Sequence, residues 1–133
     1  NCSSHPSEIY RKIHTGGGEM MSDCLFCKIV NKEIPSDIVF EDEKVLAFKD
    51  INPIAPVHIL IIPKKHISDL TALEPEDASL MGHIAMIAKN LASQLGVADS
   101  GFRLINNCKQ HGGQVIYHIH FHLIGGRQLS NQC

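Results

Sequence analysis

The sequence predicts an α+β domain built on an antiparallel sheet, and three features carry that expectation. Short β-rich runs come in neighbouring pairs, as in Ile38–Glu41 and Val45–Asp50, with Asp42-Glu43-Lys44 between them as a hairpin signal. One long stretch carries apolar residues at steps of three and four (Leu80, Ile84, Ile87, Leu91, Leu95), the spacing of a single helical face. The last patterned run alternates histidine with bulky apolar residues, which is the period of a strand.

In chain order, residues 1–20 stand apart. Asn1–His14 has no sustained apolar period, and Gly16-Gly17-Gly18 breaks whatever precedes it. The natural start is expected at Met20 or Met21, with 1–20 a disordered or non-native extension and 21–133 the folded domain. Ser22 or Asp23 is placed to cap a short helix over Cys24–Asn31, which must end before Ile34-Pro35. After the hairpin, Asn52-Pro53 and Ala55-Pro56 make a stiff loop, and His58–Ile62 is a nearly continuous apolar strand. Pro75 suits the first turn of the long helix, and Gly96 stops it. Phe102–Asn107 is another strand, and His111-Gly112-Gly113 turns the chain into a final strand, Val115–Ile124, ended by Gly125-Gly126.

Composition narrows the function classes. The chain has 133 residues, 44% of them hydrophobic and 20% charged, which fits one globular domain and excludes a disordered or collagen-like chain. Continuous apolar runs such as Ile59–Ile62 are far too short to span a bilayer, and no charged leader followed by an apolar block opens the sequence. A net charge of −2 gives no broad basic surface for nucleic acid. Five cysteines (Cys2, Cys24, Cys27, Cys108, Cys133) form an odd set without a secretory leader, so a reducing, cytoplasmic setting is expected.

Nine of the 133 residues are histidine, and three fall within His118-Ile119-His120-Phe121-His122. In a strand these three imidazoles share one face at intervals of about 6.6–6.8 Å, with Ile119, Phe121 and Leu123 on the other. Two chemistries use such a row. A zinc hydrolase takes ligands from His-x-His and keeps an open position for water. Alternatively, one neutral imidazole attacks phosphorus while its neighbours hold phosphate oxygens or pass a proton. Gly112-Gly113-Gln114 just before the row favours phosphate, because glycines let backbone N–H groups approach an anion and an amide side chain is a donor.

The alternating run His118–Ile124 resembles the defining motif of the histidine-triad (HIT) family. Ile34-Pro35-Ser36, Ala47–Ile51, Ala55–His58, Ile62–His66 and Gly112–Arg127 extend the likeness to its Hint branch over about Cys24–Gln128. The resemblance implies a five-stranded sheet with one long helix, a homodimer, and hydrolysis of purine nucleoside 5′-phosphoramidates or related adenylates at the α-phosphorus. It implies His120 as nucleophile forming a nucleotidyl-histidine, His122 on the phosphate and His58 as a nearby proton relay. Asp50 matches the position that binds the ribose, with Phe48 and Ile51 near the base and Asn107, Gly113 and Gln114 near the phosphate and leaving group. Val115 stands where relatives carry a polar residue, and little chain follows Arg127, so leaving-group preference does not carry over.

Cys24 and Cys27 lie at i and i+3 and share one face if helical, a spacing that suits zinc thiolates. Their distance in sequence from any histidine exceeds a short finger. Similarity to zinc-containing bacterial HIT proteins implies a structural zinc at Cys24, Cys27, His66 and His118. A redox pair or two idle thiols are the other readings. The rival functions are a metal-dependent hydrolase with the triad as ligands, a dinucleoside polyphosphate hydrolase, and a zinc-stabilised nucleotide-binding module without turnover.

Overall fold

The structure, a computed structural model, describes residues 24–130. The expected extension 1–20, and Ser22 and Asp23, lie outside the described residues. The first helix, α1 (Leu25–Val30), is capped by Cys24, whose Sγ accepts the Cys27 N–H at 3.3 Å. A cysteine thus does the work expected of Ser22 or Asp23, because its sulfur is held over the first turn.

Strands β1 (Ile38–Glu41), β2 (Val45–Lys49), β3 (Val57–Pro63), β4 (Phe102–Asn106) and β5 (Phe121–Gly125) form one antiparallel sheet in the order β1-β2-β3-β5-β4. The long helix α2 (Ala78–Gln94) follows a 3-10 turn at Pro75–Asp77, where Asp77 accepts the Glu74 N–H at 2.9 Å. Leu95 lies one residue past the helix and is 37% exposed, so it is the one predicted helix-face residue that does not reach the core. Gly96, at φ +78°, reverses the chain where a Cβ would be strained. No helix among the described residues is long and apolar enough to cross a membrane.

Alternation on the two central strands explains why they read as continuous apolar runs. Leu46, Phe48, Leu60 and Ile62 pack with α1, whereas Val45, Ala47, Ile59, Ile61 and Leu123 pack with Ile84, Ile87, Ala88 and Leu91 of α2. The register pairs Leu60 with His122 and His58 with Ile124, which puts His58 and His122 on the α1 side of the sheet.

The final strand is shorter than expected. Only Phe121–Gly125 pairs as β5, and residues 116–118 form a bend. The bend arises because this segment spends its polar groups on the loop after β3. The Ile119 N–H donates to the Ile67 carbonyl at 2.6 Å, and the His118 ring donates from Nε2 to the Pro63 carbonyl at 2.7 Å. His58–Ile62 and Phe102–Asn107 are seen as strands shifted by one residue at their ends.

Candidate active site and metal centre

His120 is 7% exposed, and its Nδ1–H donates to the His118 carbonyl at 2.8 Å. That bond fixes the tautomer, leaving a lone pair on Nε2. Phe26 of α1 meets the ring edge-on at a centroid distance of 5.0 Å, and the His122 ring lies 5.2 Å away. Burial pushes the His120 pKa below the ordinary 6.5, against the pull of the carbonyl it binds.

A chain of hydrogen bonds assigns the neighbouring protons. The Ile54 N–H donates to His58 Nδ1 at 3.2 Å, so in neutral His58 the proton sits on Nε2. That Nε2 lies 2.9 Å from His122 Nδ1 and donates to it, which leaves His122 with its own proton on Nε2, a donor available for an anion. The Asp50 carboxylate stands 3.4 Å from the same His58 nitrogen and accepts the Asn52 N–H at 2.8 Å. Burial lowers the His58 pKa, opposed by the Asp50 charge, and burial raises that of Asp50, opposed by the Asn52 N–H and by His58. Burial, with His120 and His58 beside it, takes His122 down to about 3.

The three triad imidazoles do not converge on one point. Among the described residues, His118 gathers with Cys24, Cys27 and His66, whereas His122 gathers with Asp50 and His58; His120 joins neither group. This spread follows from the bend at 116–118, which ties His118 to the Pro63 carbonyl, whereas His122 stays in β5 opposite Leu60. It removes the expectation of a single metal held by the whole row.

The first group has the makings of a metal centre. His118 Nδ1 is 3.4 Å from Cys24 Sγ and 3.5 Å from Cys27 Sγ, and His66 Nδ1 is 3.2 Å from Cys27 Sγ. Tetrahedral zinc sets S···N separations of about 3.6 Å from its usual bond lengths. The Pro63 carbonyl takes the His118 Nε2–H and so aims the Nδ1 lone pair at the sulfurs, as a ligand's outer partner does. Burial pushes the Cys24 thiol up to about 12 and the His118 imidazole down to about 4. The buried Cys24 thiol and His118 imidazole are poorly solvated as ions, and the four-residue group gains most from a soft divalent cation.

Two sequence-derived roles change. Gln114 was expected to offer its amide to a phosphate, but both of its N–H groups are spent on the Ser68 and Ile116 carbonyls at 2.7 and 3.1 Å. Its Oε1 accepts the Lys109 N–H at 2.7 Å. Gln114 is a buried brace for the glycine turn. Phe48 is only 1% exposed and packs edge-on against Phe26, so it backs the site; Ile51, 53% exposed, has the open apolar surface. Asn107 donates to the Gly112 carbonyl at 2.7 Å, and Gly113 takes φ +85°, where glycine is favoured. Away from this site, His83 pairs with Asp42 at 2.6 Å.

The sequence reading missed the carbonyls of Pro63 and Ile67, which hold the histidine segment, that of Ser68, which holds Gln114, and Phe26, which walls the site. Backbone carbonyls leave no trace in residue type. Phe26 had a signal in its place inside Cys24-Leu25-Phe26-Cys27.

A HIT domain family model matches residues 31–129. A purine nucleoside phosphoramidase of Escherichia coli K12 is 48% identical over 110 residues, 83% of this chain and 92% of that protein. A HIT family hydrolase from Legionella pneumophila is 51% identical with a TM-score of 0.80, covering 81% of this chain and 96% of the other. A Zn-bound histidine triad family protein from Mycobacterium smegmatis is 31% identical with a TM-score of 0.71, covering 84% of this chain and 81% of its own.

Proposed function

Because this chain belongs to the HIT domain family, we propose that it is a hydrolase of purine nucleoside 5′-phosphoramidates, working through a nucleotidyl-histidine at His120. The observation that carries this reading is the His120 Nδ1–H donated to the His118 carbonyl at 2.8 Å, which leaves a buried, neutral Nε2 lone pair. Neutral imidazole needs no base before it attacks.

In the first step Nε2 forms a bond to the α-phosphorus and the P–N bond to the leaving amine breaks; the amine takes the electron pair and a proton from solvent, and departs. In the second step water attacks the same phosphorus and loses a proton to solvent, the histidine–phosphorus bond breaks with its electron pair returning to Nε2, and a nucleoside 5′-monophosphate leaves. We assign the His122 Nε2–H to a phosphate oxygen, where charge builds up in both steps. His58 stands behind His122 to hold its tautomer and exchange protons with it. Asp50 has lone pairs left for the ribose hydroxyls, Ile51 offers a surface to the base, with Phe48 behind it, and Asn107, Gly113 and Gln114 shape the turn beside the phosphate.

Adenosine 5′-monophosphoramidate should therefore be hydrolysed with a higher kcat/KM than a dinucleoside polyphosphate. The His58–His122 pair must be neutral, and burial lowers both pKa values below 6.5, so the rate should hold on acidification through that pH and fall only lower. Preference for the polyphosphate, or an acid limb centred at or above 6.5, would overturn this assignment.

We also assign a structural zinc to Cys24, Cys27, His66 and His118, where it ties α1, the loop after β3 and the histidine segment together. A reducing, cytoplasmic setting keeps those thiols competent as ligands and fits the same reading.

The assembly we assign is a homodimer. β4 is a sheet edge, and Phe102 and Leu104 are 39% and 37% exposed on the same side as α2. Leu104→Glu should shift sedimentation from twice the chain mass to the mass of one chain; a wild-type monomer at micromolar concentration would contradict the assignment.

A further inference from the structure

The motif Gly125-Gly126-Arg127 closes the sequence likeness, and its arginine stands outside the catalytic and metal-binding groups. Arg127 lies two residues beyond β5, next to the start of β3, where Val57 pairs with Gly125. Its Nη2 donates to the Ile54 carbonyl at 2.8 Å. The same residue, Ile54, gives its N–H to His58 Nδ1, and His58 gives its Nε2–H to His122. A second contact binds the same two segments. Gly126 sits at φ +95°, and a Cβ there would come within 2.9 Å of the Pro56 side chain, so the strap lies directly on the loop.

We propose that Arg127 is a positioning residue which, through Ile54, fixes the tautomer of His58 and hence the donor that His122 presents. The loop from Ile51 to Pro56 has few anchors of its own. Asp50 N–H to the His58 carbonyl at 3.0 Å closes its base, and Asn52 N–H to Asp50 at 2.8 Å ties its first turn. Residue 54, at the far side, is held between the His58 ring and the guanidinium.

If the Arg127 hydrogen bond is lost, the Ile54 N–H drifts from His58 Nδ1, and that nitrogen is free to carry the proton. His58 Nε2 then becomes an acceptor, and the Asp50 carboxylate 3.4 Å away, itself acceptor-only, must turn from it. His122 must turn its own proton inward to Nδ1, and its Nε2 shows a lone pair, not a donor, to the phosphate. One exposed arginine thereby sets the polarity of two imidazoles, the buried His58 and the half-buried His122, without touching substrate.

The inference rests on the phosphate role given to His122, but its test reads the tautomers directly. In 15N-labelled wild-type protein without substrate, the His58 signals should show a bare Nδ1 and a protonated Nε2. In Arg127→Met, which keeps the aliphatic stem, a protonated His58 Nδ1 should appear. The kcat for adenosine 5′-monophosphoramidate should fall about 10- to 100-fold with KM little changed. Arg127→Ala should behave alike and regain activity when guanidinium ion is added, and Arg127→Lys should recover part of it. Wild-type tautomers and kcat in Arg127→Met would overturn the proposal, as would lost activity that guanidinium fails to restore with unchanged histidine signals. Altered tautomers in a protein whose wild type does not cleave phosphoramidates would sink the functional assignment and leave the strap standing. Should Arg127→Met fail to fold, the Arg127→Lys spectrum and kcat decide by the same criteria.

Discussion

Replacing His120 by alanine should lower kcat/KM for adenosine 5′-monophosphoramidate by at least about 10⁴-fold and leave a folded protein. The size follows from what the ring does. A covalent path split into two displacements has no substitute when the attacking nitrogen is removed, whereas His122→Ala removes one donor and should cost about 10²–10³-fold. Folding survives because the ring's links are few: one hydrogen bond to the His118 carbonyl and ring contacts with Phe26 and His122. Their loss costs about 1–3 kcal/mol, within the range a small domain tolerates. A thermal scan of the variant separates the two effects. A variant that keeps a tenth of wild-type activity would rule out His120 as the nucleophile.

Removing zinc should have the largest effect on stability. Metal analysis of the protein purified without chelator should give about one zinc per chain, and chelation should lower the Tm by more than about 10 °C, since binding energies at such sites are several kcal/mol or more. Cys24→Ser should behave similarly. Without a cation, burial holds Cys24 as a thiol up to about 12, so binding must expel protons, and zinc affinity should fall as pH is lowered. His118 reinforces that sign: its folded pKa of about 4 lies below 6.5, so the metal-free fold is also weakened as pH drops through that interval. A Tm unmoved by chelation, or protein free of metal as isolated, would contradict the assignment. The triad's spread across two donor groups adds a contrast: any activity lost on chelation should track lost folding, because no step of the proposed chemistry runs through the ion.

Most of the architecture was legible because it rests on period. Burial on both faces makes β2 and β3 nearly unbroken apolar runs, and α2 shows its face at three- and four-residue steps. The His118–His122 alternation pointed to a row of imidazoles on one side of the sheet, and His58 and His122 do meet there. What failed was whatever depends on partners distant in sequence. Val115–Ile124 looked like one strand, but Ile67 and Pro63 draw 116–119 out of the ladder through backbone carbonyls that no residue type encodes. Gln114 looked like a ligand donor because its type is right; only the positions of Ser68, Ile116 and Lys109 show that its amide is already spent. The Cys24, Cys27, His66, His118 group was named by likeness to relatives, since its members lie up to 94 residues apart. Its burial and spacing arise only once the fold brings α1, the loop after β3 and the histidine segment together.

The most direct test is rapid quenching of wild-type enzyme with excess adenosine 5′-monophosphoramidate into alkaline denaturant, followed by mass analysis of the peptides. An adenylyl group attached to the His120 ring, absent from His120→Ala, is the predicted result. Steady turnover with no adduct on any peptide, or an adduct on another residue, would contradict the account at its centre.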